Sequence, residues 1–476
     1  MRAVIAALAA AALACSPYHD GVDAPADHQS SLDEGALLPL GTQNGRIVDA
    51  AGRQVILRGV EHHALQDVDY AGREVLPGDY PLIASWGFTT VRMAISWSRL
   101  EPSPGQYDDG YVAEIRAAMD ACLAAGLTVV LEWHQDLWGR CSQAGSLIAS
   151  NAANGAPDWT CPAGPVPALG ALFDRLWSNQ DGLFDAFLAA WGHVLAALGN
   201  HAALAGLDVF NEPSGTAQTP SLERDYVYPA YRKIVPALRA AGATGLLFVD
   251  ATLARNDDTS LYTEPLDDLG AGVVFAPHLY SGWIELYILQ TPISPAAKAQ
   301  DFAAAVAQAG ALHLPLWNGE WGVNLDLPSA DADLETHVGL EDSSLIGSSY
   351  WAFERAVPTN GNPSISGAQS ILDQNRQPRQ DVVDRLSRPY PIQTPGTLVG
   401  SAYDFTAHRL VVTLDADPAI AAPMVLYAPA RHLSSAKCLS VTGPGGWHWD
   451  EHPDRERVLL SFDAPGRYTV TLQRCG

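Results

Sequence analysis

Eight short apolar runs recur between residues 45 and 390, separated by longer stretches of helical periodicity. They cover 55–61, 90–96, 128–134, 207–212, 246–251, 273–280, 316–321 and 348–353; helical patterns such as 111–125, 185–198, 226–241 and 296–309 lie between them. Continuous rather than alternating hydrophobicity marks strands covered on both faces, the condition of a parallel sheet. Eight such strand–helix units predict an α/β fold, a (β/α)8 TIM barrel whose strand exits converge on one rim. An open doubly wound sheet is expected to carry a glycine-rich phosphate turn after its first strand. Here that strand runs out in Gly59-Val60-Glu61-His62-His63, which has none.

The run ends are polar. Arg92, His134, Asn211, Glu212, His278, Tyr280, Glu320 and Trp351 all fall there. Burying an unpaired carboxylate is costly, so Glu212 in Asn211-Glu212-Pro213 and Glu320 in Gly319-Glu320-Trp321-Gly322 call for a chemical reason. Glycosidic oxygen is a poor leaving group and needs a proton donor, while the opposite face of the sugar needs a nucleophile. Glu212 is expected to act as acid and then base, its pKa raised by burial beside aromatics such as Tyr280. Glu320 is expected to be the nucleophile, kept ionised by Arg92. Asn211 suits the sugar 2-hydroxyl, His134 and His278 orient carboxylates or hydroxyls, and Trp351 offers a platform. Gln135 and Asp136 suit either sugar hydroxyls or capping of the following loop. Carboxyls about 5–5.5 Å apart would give retention, against roughly 6.5–9.5 Å for inversion. This chemistry calls for no metal and no cofactor.

Asn211-Glu212-Pro213, Gly319-Glu320-Trp321-Gly322, Arg92, His134, His278, Tyr280 and Trp351 together resemble glycoside hydrolase family 5 over nearly all of residues 45–390. Within it, His134-Gln135-Asp136 and the insertion through Asn154-Gly155-Ala156-Pro157-Asp158-Trp159 resemble the endoglycoceramidases. The resemblance implies a retaining β-glycosidase cleaving between sugar and ceramide. Two departures, Glu132-Trp133 for a usual Asp-Met and Trp321 for a usual Phe, touch the substrate assignment rather than the reaction. The alternatives are an endo-β-glycanase on soluble polysaccharide, cellulase- or galactanase-like, and a non-catalytic carbohydrate-binding surface lipoprotein.

Large apolar residues in the insertion from 137 to 177 (Trp138, Leu147, Ile148, Trp159, Phe173, Leu176, Trp177) are expected to wall a lipid aglycone or to pack on themselves. Trp283, Ile284, Leu286, Tyr287 and Ile288 offer an opposite wall or one helix face. After residue 395 short alternating runs replace helices, predicting a C-terminal all-β sandwich over 396–476, with Pro389 to Pro395 as linker. A hairpin turning at Ala51-Gly52 is expected to plug the barrel floor, the barrel domain spanning 41–390.

The formal net charge of -25 excludes nucleic acid and anionic membrane surface as main partners. Arg2, an apolar stretch over 3–14 and Ala14-Cys15 read as a signal over 1–15. They resemble a bacterial lipoprotein signal with Cys15 lipidated; ordinary cleavage and secretion is the alternative. Residues 16–40 then read as a tether. Contact with a membrane is expected only through that lipid or the substrate, and the protein as a monomer. Of the other cysteines, Cys141–Cys161 and Cys438–Cys475 are the expected disulfides and Cys122 a buried apolar residue.

Overall fold

The computed structural model describes residues 32–66, 70–71, 75–139, 141, 154–165, 168–257, 261–353, 357–358 and 368–475. Eight parallel strands form the central sheet: β1 Arg58–His62, β2 Thr90–Ser96, β3 Thr128–His134, β4 Leu204–Asp208, β5 Leu246–Val249, β6 Val273–Phe275, β7 Asn318–Trp321 and β8 Ser348–Tyr350. Their order is β6-β5-β4-β3-β2-β1-β8-β7, and a parallel bridge between Phe275 and Leu316 closes the ends into a barrel. β2 and β3 match the sequence expectation residue for residue. The others are shorter than expected, so Asn211, Glu212, His278, Tyr280 and Trp351 lie beyond the strand ends, on the rim loops.

Side-chain alternation divides each strand between two cores. Val129, Leu131, Trp133, Leu247, Val249, Val273 and Phe275 face the helices. Val130, Leu246, Phe248, Val274, Ala276 and Trp317 face inward, where Leu40, Ile47 and Val55 of the N-terminal hairpin close the floor. The hairpin also does something the sequence hid. Its strands Leu40–Gln43, Arg46–Asp49 and Gln54–Val55 belong to a seven-stranded sheet of the C-terminal region. The run 55–61 is therefore not one strand: Gln54–Val55 pairs with Tyr390–Thr394, and only Arg58–His62 enters the barrel.

Tyr390–Thr394 corrects a second expectation. Pro389 to Pro395 is not a linker but a strand between Gln54–Val55 and Met424–Tyr427, with a register shift between Pro391 and Gln393 that accommodates the missing N–H. The seven-stranded sheet and a four-stranded sheet of Gly396–Asp404, Arg409–Ala416, Gly466–Arg474 and Lys437–Thr442 enclose a second core. Contacts across the junction brace the barrel. The Arg58 guanidinium lies 4.0 Å over the Tyr390 ring and pairs with Asp342, which also binds Arg388 at 2.9 Å. Gly87 (φ +80°) lies so close to Tyr427 that a Cβ there would sit 2.2 Å from its ring.

Of the expected tether, residues 32–40 are packed rather than free. Leu32 donates its N–H to Asp450, and the Glu34 carbonyl accepts from Arg53. Residues 1–31, with Cys15, lie outside the described residues, as do Leu147 and Ile148. Both expected disulfides form, and Cys122 is buried and free.

Candidate active site

The eight rim residues converge. A Glu212 carboxyl oxygen, a Glu320 carboxyl oxygen and a His278 ring nitrogen all lie within 4.8 Å of one another. That spacing lies on the short side of the roughly 6.5 Å at which inverting pairs begin.

Arg92 from β2 is the hub. Its Nη1 donates to Glu320 Oε2 and to Glu61 Oε2, both at 3.0 Å; Nε donates to Asp208 Oδ2 at 2.9 Å and Nη2 to Asn211 Oδ1 at 2.9 Å. Glu132 Oε1 is 3.5 Å from Nη2. Four carboxyl groups thus surround one fully buried guanidinium. One cation cannot neutralise four anions at low dielectric. Burial accordingly pushes Glu61 well above the ordinary carboxylate range and Asp208 up to about 6.

Glu320 accepts a second hydrogen bond from Tyr280 Oη at 2.6 Å. Burial raises its pKa, while His278 and Arg92 pull it down. Arg92 therefore pairs with Glu320 as expected from the sequence, yet does not lower its pKa below the ordinary value. Tyr280 hydrogen-bonds Glu320, whose carboxyl lies within 4.8 Å of that of Glu212. The direct hydrogen-bond partners of Glu212 are polar side chains of other loops. Asn256 Nδ2 donates to its Oε1 at 2.6 Å, and His278 Nδ1 meets the same oxygen at 2.9 Å. Burial nonetheless pushes the Glu212 carboxyl up to about 7.

His134 is held between two carboxylates, Glu132 on Nδ1 and Asp136 on Nε2, each at 3.1 Å. Burial disfavours its imidazolium, but the two carboxylates outweigh burial and hold its pKa well above the ordinary value. Trp351 lies nearly parallel to both His134 and His63, at 5.3 and 5.2 Å. Asn211 donates Nδ2 to the Gln135 carbonyl at 3.0 Å.

Gln135 is a capping residue rather than a sugar ligand. It is buried, its amide nitrogen donates to the Asn211 and Glu212 carbonyls and its oxygen accepts from Trp138 N–H. Asp136 does part of the same work, accepting from Asn154 Nδ2 at 2.7 Å across an antiparallel bridge. In the insertion, Trp138, Phe173, Leu176 and Trp177 are buried in the barrel's outer core, so they wall no aglycone. Across the rim, Leu286 is buried against Tyr280, whereas Ile284 and Leu289 are 44% and 59% exposed.

Sequence reasoning missed Glu61, Glu132, Asp208, Asp250 and Asn256. Asp208 ends a strand and Asp250 is one residue past one, while Glu61 and Glu132 lie one and two residues short of a strand end, all close to the signal that singled out the others. Asn256 is in a 3-10 turn, Leu253–Asn256, with no periodicity to mark it.

Residues 48–356 match the cellulase model of glycosyl hydrolase family 5, and residues 388–472 match the family 5 C-terminal domain. Among curated proteins, endoglycoceramidase I of Rhodococcus hoagii is 29% identical over 262 residues, 49% of this chain and 51% of the relative. A glucosylceramidase of Cryptococcus neoformans is 31% identical over 140 residues, 25% of this chain and 18% of the relative. The chain thus spans about half the length of the first of these and less of the second. Among solved structures, an endogalactoceramidase superposes with TM-score 0.73 at 25% identity, covering 91% of this chain and 100% of the other. Endo-glycoceramidase II from Rhodococcus sp., in complex with ganglioside GM3, gives 0.74 at 23% identity over 91% and 100%. With two thirds of its length in the catalytic model and the accessory domain matched behind it, the chain belongs to glycosyl hydrolase family 5.

Proposed function

We propose that the protein is a retaining β-glycosidase that releases the glycan from glycosphingolipids. The observation that carries the reaction is the pair of carboxyls, Glu212 and Glu320, with oxygens within 4.8 Å of each other. Glu320 attacks the anomeric carbon as the glycosidic C–O bond breaks, and Glu212 gives its proton to the departing oxygen. Water then displaces Glu320, losing its proton to Glu212. Tyr280 and Arg92 each hold one Glu320 oxygen, fixing its orientation for attack. Asn211, held by Arg92 and the Gln135 carbonyl, presents its amide to the sugar 2-hydroxyl. His134 with Asp136, and Trp351, bind the remaining face of the sugar.

The glycolipid substrate is supported by the ceramide-cleaving relatives and by the exposed Ile284 and Leu289, on the segment that packs against Tyr280. Apolar surface beside a sugar site suits an acyl or sphingoid chain better than a second glycan. Incubation with glucosylceramide, a ganglioside and a soluble β-glucan, with released sugars read by mass spectrometry, tests this. Release from the lipids alone is expected; release from the glucan alone would assign the enzyme to the glycanases. We further propose export, with a lipid on Cys15. Incorporation of labelled fatty acid that is lost in Cys15→Ser is the expected result.

A further inference from the structure

Glu212 has φ +43°, in the left-handed region that residues with a Cβ rarely adopt. Two side chains hold its peptide there. Gln135 donates to the Glu212 carbonyl at 3.2 Å, and Asp250, one residue beyond β5, accepts the Glu212 N–H through Oδ2 at 2.9 Å. The same Oδ2 lies 3.2 Å from His278 Nε2, in an oblique contact, while His278 Nδ1 meets Glu212 Oε1 at 2.9 Å. Asp250 thus reaches Glu212 twice: at the backbone directly, and at the carboxyl through one imidazole. Asn256 Nδ2 donates to Oε1 as well, at 2.6 Å. With the imidazole N–H on Nδ1, Oε1 receives two donors and is a poor place for a proton.

We infer that Asp250 is a positioning residue for the proton donor, fixing the Glu212 backbone and, through His278, Oε1, so that Oε2 carries the proton delivered to the departing oxygen. This role rests on the reading of Glu212 as the acid. Asp208, Arg92 and Tyr231 surround Asp250; Asp136 and His134 act on Glu212; Glu320, Glu132, Arg92 and His134 act on His278. Burial beside Asp208 and Glu212 holds Asp250 well above the ordinary carboxylate range, and burial lowers His278 to about 3. Asp250→Asn keeps the shape of the side chain and a hydrogen-bonding oxygen, so it is the conservative variant.

The test compares Asp250→Ala, Asp250→Asn and Glu212→Gln on aryl β-glycosides whose leaving groups range from 2,4-dinitrophenol to phenol. Dinitrophenolate leaves without a proton, so kcat/KM of Asp250→Ala is expected to fall by less than about 5-fold there and by about 10²-fold on the phenyl substrate. Asp250→Asn should recover about tenfold of the phenyl loss. Thermal unfolding confirms that each variant is folded; Asp250→Ser takes the place of alanine where alanine is not. A loss in Asp250→Ala equal on both substrates, beside a steep Glu212→Gln, would overturn this inference alone. Equal losses in both variants would overturn the acid assignment as well.

Discussion

The two ends of the barrel interior are built from the same strands and obey opposite rules. On β3, Val130 belongs to the floor core, while Glu132 and His134, two and four residues later on the same face, belong to the charged rim. On β5 and its continuation the sequence Leu246, Phe248, Asp250 makes the same change, and along β6 and its continuation the inward series is Val274, Ala276, His278. The floor is held by packing. The rim is held by a network in which Arg92 bonds Glu61, Asp208, Asn211 and Glu320. Buried acids surrounding one cation are poor stabilisers, so their concentration at one level marks where fold stability gives way to chemistry.

Substitutions at the two levels should therefore separate activity from stability. The largest effect is expected at Glu320→Gln. kcat should fall by on the order of 10⁴-fold or more, measured on an aryl β-glycoside. The unfolding midpoint should hold or rise, because a buried acid surrounded by others has been removed. Arg92→Met should damage both properties. It leaves the acid cluster without its cation, at about 3–5 kcal/mol by denaturant unfolding, and releases Glu320 and Asn211 together.

Trp317→Ala addresses the floor alone. Trp317 is fully buried and its Nε1–H donates to the Leu57 carbonyl at 2.9 Å. Its loss should cost about 3–5 kcal/mol, lowering Tm by roughly 10 °C, with kcat of the folded protein changed less than about twofold. A tenfold fall in kcat here would mean that floor and rim are coupled. The smallest effect is a titration. Glu212 must hold its proton in the free enzyme, and its pKa is raised to about 7. kcat/KM should be constant just below that pH and fall tenfold per unit well above it. Glu212→Gln should remove this limb.

The barrel was legible because its strands are continuous apolar runs, and β2 and β3 came out with their observed bounds. Legibility failed where one run serves two sheets: Val55-Ile56-Leu57 is uniformly apolar, and nothing in it marks the change of partner between Val55 and Arg58. It failed again at Pro389 to Pro395, where proline density signals a break but a register shift lets the strand form. At the site, residues at run ends could be found because charge is conspicuous in apolar surroundings. The pairing of Arg92 with Glu320 could be found too, but the other partners of the two carboxyls could not. Tyr280 on Glu320 and Asn256 on Glu212 depend on rim loops whose course is set by tertiary packing. Gln135 suited either a sugar ligand or a loop cap, and its three backbone partners decide for the cap.

Trapping the glycosyl-enzyme tests the two-carboxyl mechanism most directly. Treatment with a 2-deoxy-2-fluoro-β-glycosyl fluoride, followed by proteolysis and peptide mass spectrometry, should find one fluorosugar esterified to Glu320, with Glu212 unmodified. Complete hydrolysis with inversion and no covalent adduct, or an adduct on any other residue, would contradict it.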